Sequence, residues 1–148
     1  MKGGAFELEI SKILSLWYSN GKRDDLVCRT DSSGGRATVR TKAKKETNKY
    51  LYGDLKHSDD MCKPLFDLWS VECKTGYSHN RKLKDGTKSR TNWCLLDLID
   101  STQKEPTFTQ MWNQCVRDAC LSLREPILIF RRNQKQPCIA MRKRYYES

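Results

Sequence analysis

Apolar residues follow a helical period in two long segments of the chain and a strand-like period in several short ones. Residues 4–18 repeat apolar positions at helical spacing up to Asn20-Gly21, which predicts an amphipathic helix. A second helix is predicted after Pro106, where Thr107 and Gln110 form the pattern of a capping box. The positions expected to be buried are Phe6, Ile10, Ile13, Leu14 and Trp17 in the first helix, and Phe108, Met111, Trp112, Cys115, Ala119 and Leu123 in the second.

Strands are predicted between and after these helices. The segment 65–75, LFDLWSVECKT, predicts the most buried strand, and its alternation places Glu72 and Lys74 on the same face. Further strands are predicted at 26–29, 50–55 and 126–130, with 138–141 as a hairpin partner of the last, while residues 93–99 fit a helix or a strand. The order of elements predicts an α/β fold around one sheet, in a single domain over residues 1–148.

Two polar intervals between these elements are rich in Lys and Arg. We interpret residues 36–49 and about 77–92 as basic loops at the rim of the sheet. The chain carries 28 Lys and Arg against 18 Asp and Glu, which indicates a polyanionic partner such as nucleic acid or an acidic membrane surface. Such loops would grip the phosphate backbone without reading sequence. The contact residues expected in them are Arg36, Arg40, Lys42, Lys44, Lys45, Arg81 and Lys82.

The composition also excludes several classes of protein. No run approaches the roughly 18 apolar residues of a membrane-spanning helix, so we expect no membrane association of that kind. The N-terminal segment has acidic residues within its apolar stretch and no small-residue cleavage site, unlike a secretory signal. The seven cysteines form an odd set without Cys-x-x-Cys spacing, which predicts reduced thiols in the cytoplasm rather than disulfides or a zinc site.

Three charged residues indicate what the protein does to a nucleic acid. Asp54 lies near the end of one predicted strand, and Glu72 and Lys74 lie in the most apolar one. Two carboxylates on neighbouring strands can hold Mg²⁺, which takes oxygen ligands and activates water for attack on a phosphodiester. The Lys74 ammonium could position that water. The competing interpretation is a salt-bridge cluster at the surface, but charged residues in so apolar a strand require a partner.

The sequence GDL at 53–55 followed by VECK at 71–74 resembles the bipartite motif of the PD-(D/E)xK nucleases, with Gly53 in place of the proline. The resemblance implies a restriction-endonuclease-like fold, in which α-helices flank a central mixed β-sheet. It also implies DNA cleavage that depends on Mg²⁺, with Mn²⁺ as a substitute. Asp54 and Glu72 would bind the metal, and Lys74 would be catalytic.

The N-terminal segment resembles archaeal and phage Holliday junction resolvases. In those proteins a glycine precedes a metal-site glutamate of the first helix by four positions, as Gly3 precedes Glu7 here. The resemblance implies that Glu7 assists the metal, that Gln114 is an auxiliary residue, and that a homodimer acts on double-stranded or branched DNA. Periodicity alone does not choose between Glu7 and Glu9, and a helical wheel favours an exposed position for Gln114.

Residues 29–35 resemble the Ser/Gly loop after the first strand of the resolvases. Arg29, Ser32 and Ser33 would there contact phosphates, although the same residues also fit a simple turn. A nucleic-acid-binding protein that keeps the nuclease fold without cleaving is the alternative function. Cleavage of plasmid or branched DNA with Mg²⁺, and its loss with EDTA, distinguishes the two.

Overall fold

The computed structural model describes residues 2–30, 48–76, 78–82, 84–86, 88–132 and 134–146. Its helices are α1 (Lys2–Tyr18), α2 (Lys63–Leu68), α3 (Asp97–Asp100), α4 (Thr107–Leu121) and α5 (Lys143–Tyr146). Its strands are β1 (Val27–Arg29), β2 (Leu55–His57), β3 (Trp69–Thr75), β4 (Ser78–Lys82), β5 (Lys88–Asn92), β6 (Glu125–Arg131) and β7 (Cys138–Met141). None of the helices in these ranges is both long and apolar enough to cross a lipid bilayer.

Strand β6 lies at the centre of a three-stranded mixed sheet. It pairs in parallel with β3, where Glu72 lies opposite Leu128, and antiparallel with β7. An antiparallel ribbon of β1 and β2 adjoins the outer edge of β3, because the amide of Asp54 donates a 2.8 Å hydrogen bond to the carbonyl of Val71. The predicted mixed sheet flanked by helices is confirmed, as is the hairpin of β6 and β7.

The two faces of the sheet pack against different helices. On one face α1, β1 and β2 cover a core that includes Val71, Cys73 and Ile129. On the other face α4 covers Leu128 and Phe130. Because both faces are covered, the side chains of β3 are buried on either side of the strand. The strand with the candidate site residues therefore runs through the middle of three layers.

Helix α1 buries Phe6 and Ile10 as predicted, but the face it turns to the core is not the whole apolar stripe. Ile13 and Trp17, predicted to be buried, are 48% and 65% exposed. Ser15 is buried instead, because its hydroxyl accepts a 2.9 Å hydrogen bond from the amide of Val27 and donates one of 2.7 Å to the carbonyl of Ser11. A serine whose hydrogen bonds are satisfied can enter a core, so the apolar period alone misplaced this face.

Two predicted strands have different boundaries in the structure. Pro64 occupies the first turn of α2, and β3 begins only at Trp69, so the first part of the predicted strand 65–75 is helical. The first two residues of the predicted strand 50–55 belong to a 3₁₀ turn, Lys49–Leu51, residues 52–54 form a bend, and only Leu55 lies in a strand. Asp54 therefore precedes β2 rather than ending a strand.

The start of α4 also differs from its prediction. The helix begins at Thr107 with Pro106 as N-cap, and the predicted capping box is absent. The side-chain amide of Gln110 instead donates a 2.9 Å hydrogen bond to the carbonyl of Glu105. Leu123, predicted to be in the core, lies beyond the end of the helix at φ 55° and is 94% exposed.

The predicted basic loop over about 77–92 is a β-hairpin. Strands β4 and β5 pair antiparallel from Ser78–Asn92 to Lys82–Lys88, and Gly86 adopts φ +85° in the turn between them. The loop prediction was wrong because neither strand has the apolar positions by which a strand is recognised. The other predicted basic loop falls mostly outside the described residues, together with Ser32, Ser33, Arg36, Arg40, Lys42, Lys44 and Lys45.

Candidate active site

Asp54 is fixed at the outer edge of β3 by the backbone of that strand. Its amide donates to the carbonyl of Val71, and its Oδ2 accepts a 2.8 Å hydrogen bond from the amide of Cys73. An edge amide that would otherwise be buried without a partner is thereby satisfied. Asp54 is 5% exposed, so its carboxylate is held beside the strand that carries Glu72.

The residue before Asp54 has to be glycine. Gly53 adopts φ +79°, a backbone conformation that side chains disfavour, and a Cβ there would lie 2.8 Å from the carbonyl oxygen of Val71. Proline, with φ fixed near about −65°, cannot take this conformation. Glycine at this position therefore lets the chain just before Asp54 pass close to the backbone of β3.

Glu72 and Lys74 lie on the face of β3 that is covered by α4. The Nζ of Lys74 lies 2.7 Å from Oε1 of Glu72, and Nε2 of Gln114 donates a 3.1 Å hydrogen bond to the same oxygen. These two partners fix the orientation of the Glu72 carboxylate. Gln114 is half-buried, so the exposed position favoured by the helical wheel is wrong.

Of the two glutamates in α1, Glu7 faces the site and Glu9 faces away from it. Glu7 is 9% exposed, and its carboxylate accepts a hydrogen bond from Nε of Arg29. The Arg29 guanidinium lies against Gly4, where a Cβ would approach it to 3.2 Å. Glu9 instead pairs with Arg131 at 2.8 Å. The structure therefore places Arg29 next to Glu7 at the rim of the site.

The carboxylates of the site disfavour each other's charge. Burial, followed by the negative charge of Glu72, raises the pKa of Asp54 to about 7. Burial also raises the pKa of Glu72 against the opposing effect of Lys74, and the charge of Glu7 raises both pKa values. Full ionisation of the Asp54–Glu72 pair is therefore unfavourable in the folded protein, and a bound cation would favour it.

The carboxylates of Asp54 and Glu72 fit a magnesium ion better than a metal ion that takes all of its ligands from the protein. Within the described ranges, no three His, Cys, Asp or Glu side chains are arranged to hold a metal ion together. Asp54 and Glu72 nevertheless offer two carboxylates at neighbouring positions. Mg²⁺ is usually bound by one or two carboxylates and keeps several water ligands, so a pair of this kind is sufficient.

A further acid, Asp118, lies near the site and was not among the site residues predicted from the sequence. It is 6% exposed and stands one helical turn after Gln114 in α4. Its charge contributes to the raised pKa of Glu72, and burial raises its own pKa. The spacing of four residues places Gln114 and Asp118 on one helix face, which is the signal that could have identified it.

Arg124, also missed, fixes the segment that leads to Asp54. Burial lowers the pKa of its guanidinium to about 10. The guanidinium donates four hydrogen bonds of 2.7–3.1 Å, to the carbonyls of Lys49, Tyr52, Phe66 and Trp69. Arg124 thus ties the 3₁₀ turn before Asp54 to the end of α2 before β3. No motif marks it, because apart from the Ser122 hydroxyl its hydrogen-bond partners are backbone carbonyls.

A comparison with models of protein families shows which family the chain belongs to. A family model described as "Phage putative PDDEXK endonuclease" matches residues 1–148. No curated protein matches the chain, and no solved structure matches it. Asp54, Glu72 and Lys74, which the structure brings together, are also the residues that fit the motif after which the family is named. The chain therefore belongs to this family of phage PD-(D/E)xK endonucleases, whose substrate is a nucleic acid.

Proposed function

We propose that this endonuclease hydrolyses phosphodiester bonds of DNA with Mg²⁺ held by Asp54 and Glu72. The observation that supports the proposal is the buried pair of carboxylates, with one pKa raised to about 7, beside the Lys74 ammonium. A magnesium ion bound there would polarise the scissile phosphate and lower the pKa of a bound water.

The chain's own residues supply the remaining chemistry. Lys74 lies where its ammonium can donate to the attacking water and offset the negative charge that develops on the phosphate. Gln114, in α4, restrains Glu72 through its hydrogen bond to Oε1. Glu7 adds negative charge near the metal ligands and holds Arg29, whose side chain is 42% exposed and can meet a phosphate.

Cleavage of supercoiled plasmid in Mg²⁺, Mn²⁺ or EDTA tests this function. We expect nicking or linearisation with either metal and none with EDTA. Cleavage that persists in EDTA would contradict the metal mechanism. DNA binding without cleavage in either metal would instead favour the silent binding protein.

We further propose that the preferred substrate is branched DNA, such as a four-way junction, and that the enzyme acts as a homodimer. The support is the resemblance to the resolvases at Gly3 and Glu7, together with the position of Glu7 on the site side of α1. Resolving a junction takes two symmetric cuts, and a two-fold dimer supplies two sites. Light scattering should report a dimer, and junctions should be cut in paired strands in preference to linear duplex. A monomer that nicks both substrates equally would contradict this proposal but not the nuclease function.

A further inference from the structure

None of the residues assigned above to the candidate active site lies in the β4–β5 hairpin. It follows β3, the strand that carries Glu72 and Lys74, after only two residues, Gly76 and Tyr77. Its two strands form a sheet of their own and are not hydrogen-bonded to the other described strands. The hairpin therefore extends the catalytic strand into a separate two-stranded ribbon.

The ribbon has no apolar face with which to join the core. Neither five-residue strand, SHNRK or KSRTN, contains an apolar residue. A two-stranded ribbon alone is marginal in water, so one without an apolar face depends on a partner for its stability. Residues 78–92 carry five Lys and Arg against one Asp, which selects a polyanion as that partner.

The tip of the ribbon lies in open space. Lys84, Asp85 and Gly86 are exposed, and a Cβ on Gly86 would meet nothing within 4 Å. A partner can therefore contact the exposed residues at this end of the hairpin.

The register divides the ribbon into two different faces. Residues paired across an antiparallel ribbon share a face. One face carries the pairs Ser78–Asn92, Asn80–Arg90 and Lys82–Lys88, and the other carries His79–Thr91 and Arg81–Ser89. The first face combines the residue types that recognise base edges, since Asn pairs with adenine and Arg or Lys with guanine.

We infer that this ribbon enters the major groove of B-form DNA beside the cleavage site, with the face of Asn80 and Arg90 toward the base edges. The inference rests on the proposed cleavage of DNA. The major groove, about 12 Å wide, admits a two-stranded β-ribbon, whereas the minor groove is about 6 Å wide. The major groove of an A-form RNA duplex is too deep and narrow to be read. The charge of the hairpin alone predicts only phosphate contacts. The inference adds contacts between the hairpin and the base edges.

Arg90→Ala and Arg81→Ala form a matched pair for testing this, because each removes one positive charge from opposite faces of the ribbon. Both are made in a Glu72→Gln background, so that DNA is bound without being cut. Dimethyl sulfate footprinting on branched DNA, where the branch point fixes the register, reports guanine N7 in the major groove and adenine N3 in the minor groove.

We expect the unmodified ribbon to protect guanine N7. Arg90→Ala should abolish that protection and lower affinity for the protected sequence about tenfold to a hundredfold relative to other sequences. Arg81→Ala should keep the protection and lower affinity for all sequences alike. Protection confined to adenine N3, or the same footprint for both variants, would overturn the inference. Absence of cleavage by the wild-type protein, with guanine N7 still protected, would refute only the proposed nuclease function.

A second variant replaces residues 78–92 with a short Gly-Ser linker between Tyr77 and Trp93, and its folding is checked by circular dichroism. The sheet of β3, β6 and β7 does not depend on these residues for its hydrogen bonds. We expect affinity for a DNA duplex to fall more than affinity for an RNA duplex of the same sequence, because the RNA duplex loses only the non-specific attraction of the deleted charges. An equal loss on both duplexes would overturn the inference.

Discussion

The surface cluster around Asp67 and the buried pair Asp54–Glu72 combine acids and lysines in opposite proportions. Asp67 has two lysines, Lys49 and Lys63, each with its Nζ 2.8 Å from a carboxylate oxygen. In the buried pair, two carboxylates lie beside a single ammonium group, that of Lys74. In the surface cluster the positive charges of the lysines therefore more than balance the carboxylate. In the buried pair the carboxylates outnumber the positive charge.

The pKa shifts follow from these proportions. Hydrogen bonds from Lys49 and Lys63 hold the pKa of Asp67 well below its usual range. Burial and the charge of Glu72 instead raise the pKa of Asp54 to about 7. An acid already paired with cations has little need of a metal, while an acid whose pKa is raised by a neighbouring acid gains from one. The burial of Asp54 and Glu72 thus excludes a salt-bridge cluster at the surface, which is one of the two interpretations that the sequence leaves open, and it supports the proposed metal site.

Removing a ligand charge should have the largest effect. Glu72→Gln and Asp54→Asn change shape little, and each should lower the single-turnover cleavage rate about a thousandfold or more, since a metal supplies several kcal/mol of stabilisation. Asp67→Asn is the matched control at the surface cluster and should keep the wild-type rate. Full activity in Glu72→Gln would refute the assignment. Loss of folding together with cleavage would indicate a structural ion cluster instead.

Lys74→Ala should lower the single-turnover rate about a hundredfold to a thousandfold and change DNA affinity much less, because the ammonium acts on developing charge. Lys63→Ala removes a lysine at the same distance from a carboxylate and should leave the rate unchanged. If Lys74 only contacts the backbone, its loss would reduce the salt slope of binding by about one, with a normal rate at saturation.

The basic segment before Asn48 should contribute to binding rather than chemistry. Replacing Lys42, Lys44 and Lys45 with Gln should make the salt dependence of DNA affinity shallower by about two to three units, equally for all sequences. Lys49 stays unchanged because it pairs with Asp67. Affinities at several salt concentrations measure the slope, and a loss confined to one sequence would show that this segment reads bases.

The opposite pKa shifts should produce opposite effects of pH on stability. Without metal, Asp54 keeps its proton to about pH 7 in the folded state but only to about 3.8 when unfolded, so folded-state stability falls as pH rises between these values. Asp54→Asn should remove that loss and melt roughly 5 °C higher than wild type at pH 8 in EDTA, with no difference at pH 4.

Asp67 should show the reverse sign. Its pKa is lowered in the folded state, so it contributes stability at neutral pH that is lost as pH falls below about 3.8. Asp67→Asn should therefore melt below wild type at pH 7. Parallel melting profiles of the two variants from pH 2 to 8 would remove the distinction between the clusters.

The site strand could be predicted because its signal is local. Glu72 and Lys74 stand two apart within an apolar run, and a strand places such residues on one face whatever surrounds it. Asp54 was predicted as a site residue but in the wrong element. Its backbone is set by the positive φ of Gly53 and by hydrogen bonds to β3, neither of which apolar periodicity reports.

The missed residues depend on contacts that are distant in sequence. Arg124 binds carbonyls 55 to 75 positions earlier in the chain, and Ser15 is buried because its hydroxyl meets the amide of Val27 in β1. Asp118 becomes relevant only when α4 packs on β3. Sequence patterns predict which residues a helix or strand presents, but these roles arise only when separate elements meet.

The late position of Arg124 sets an order of events during synthesis of the protein. Its carbonyl partners lie between Lys49 and Trp69, and β6, the central strand, follows at Glu125–Arg131. A ribosome-bound chain that stops short of these residues already contains Glu72 and Lys74. It has neither Arg124 nor the strand that pairs with β3. The proposed active site is therefore assembled only after residues 124–131 leave the ribosome, and partly made chains carry the motif without its folded geometry.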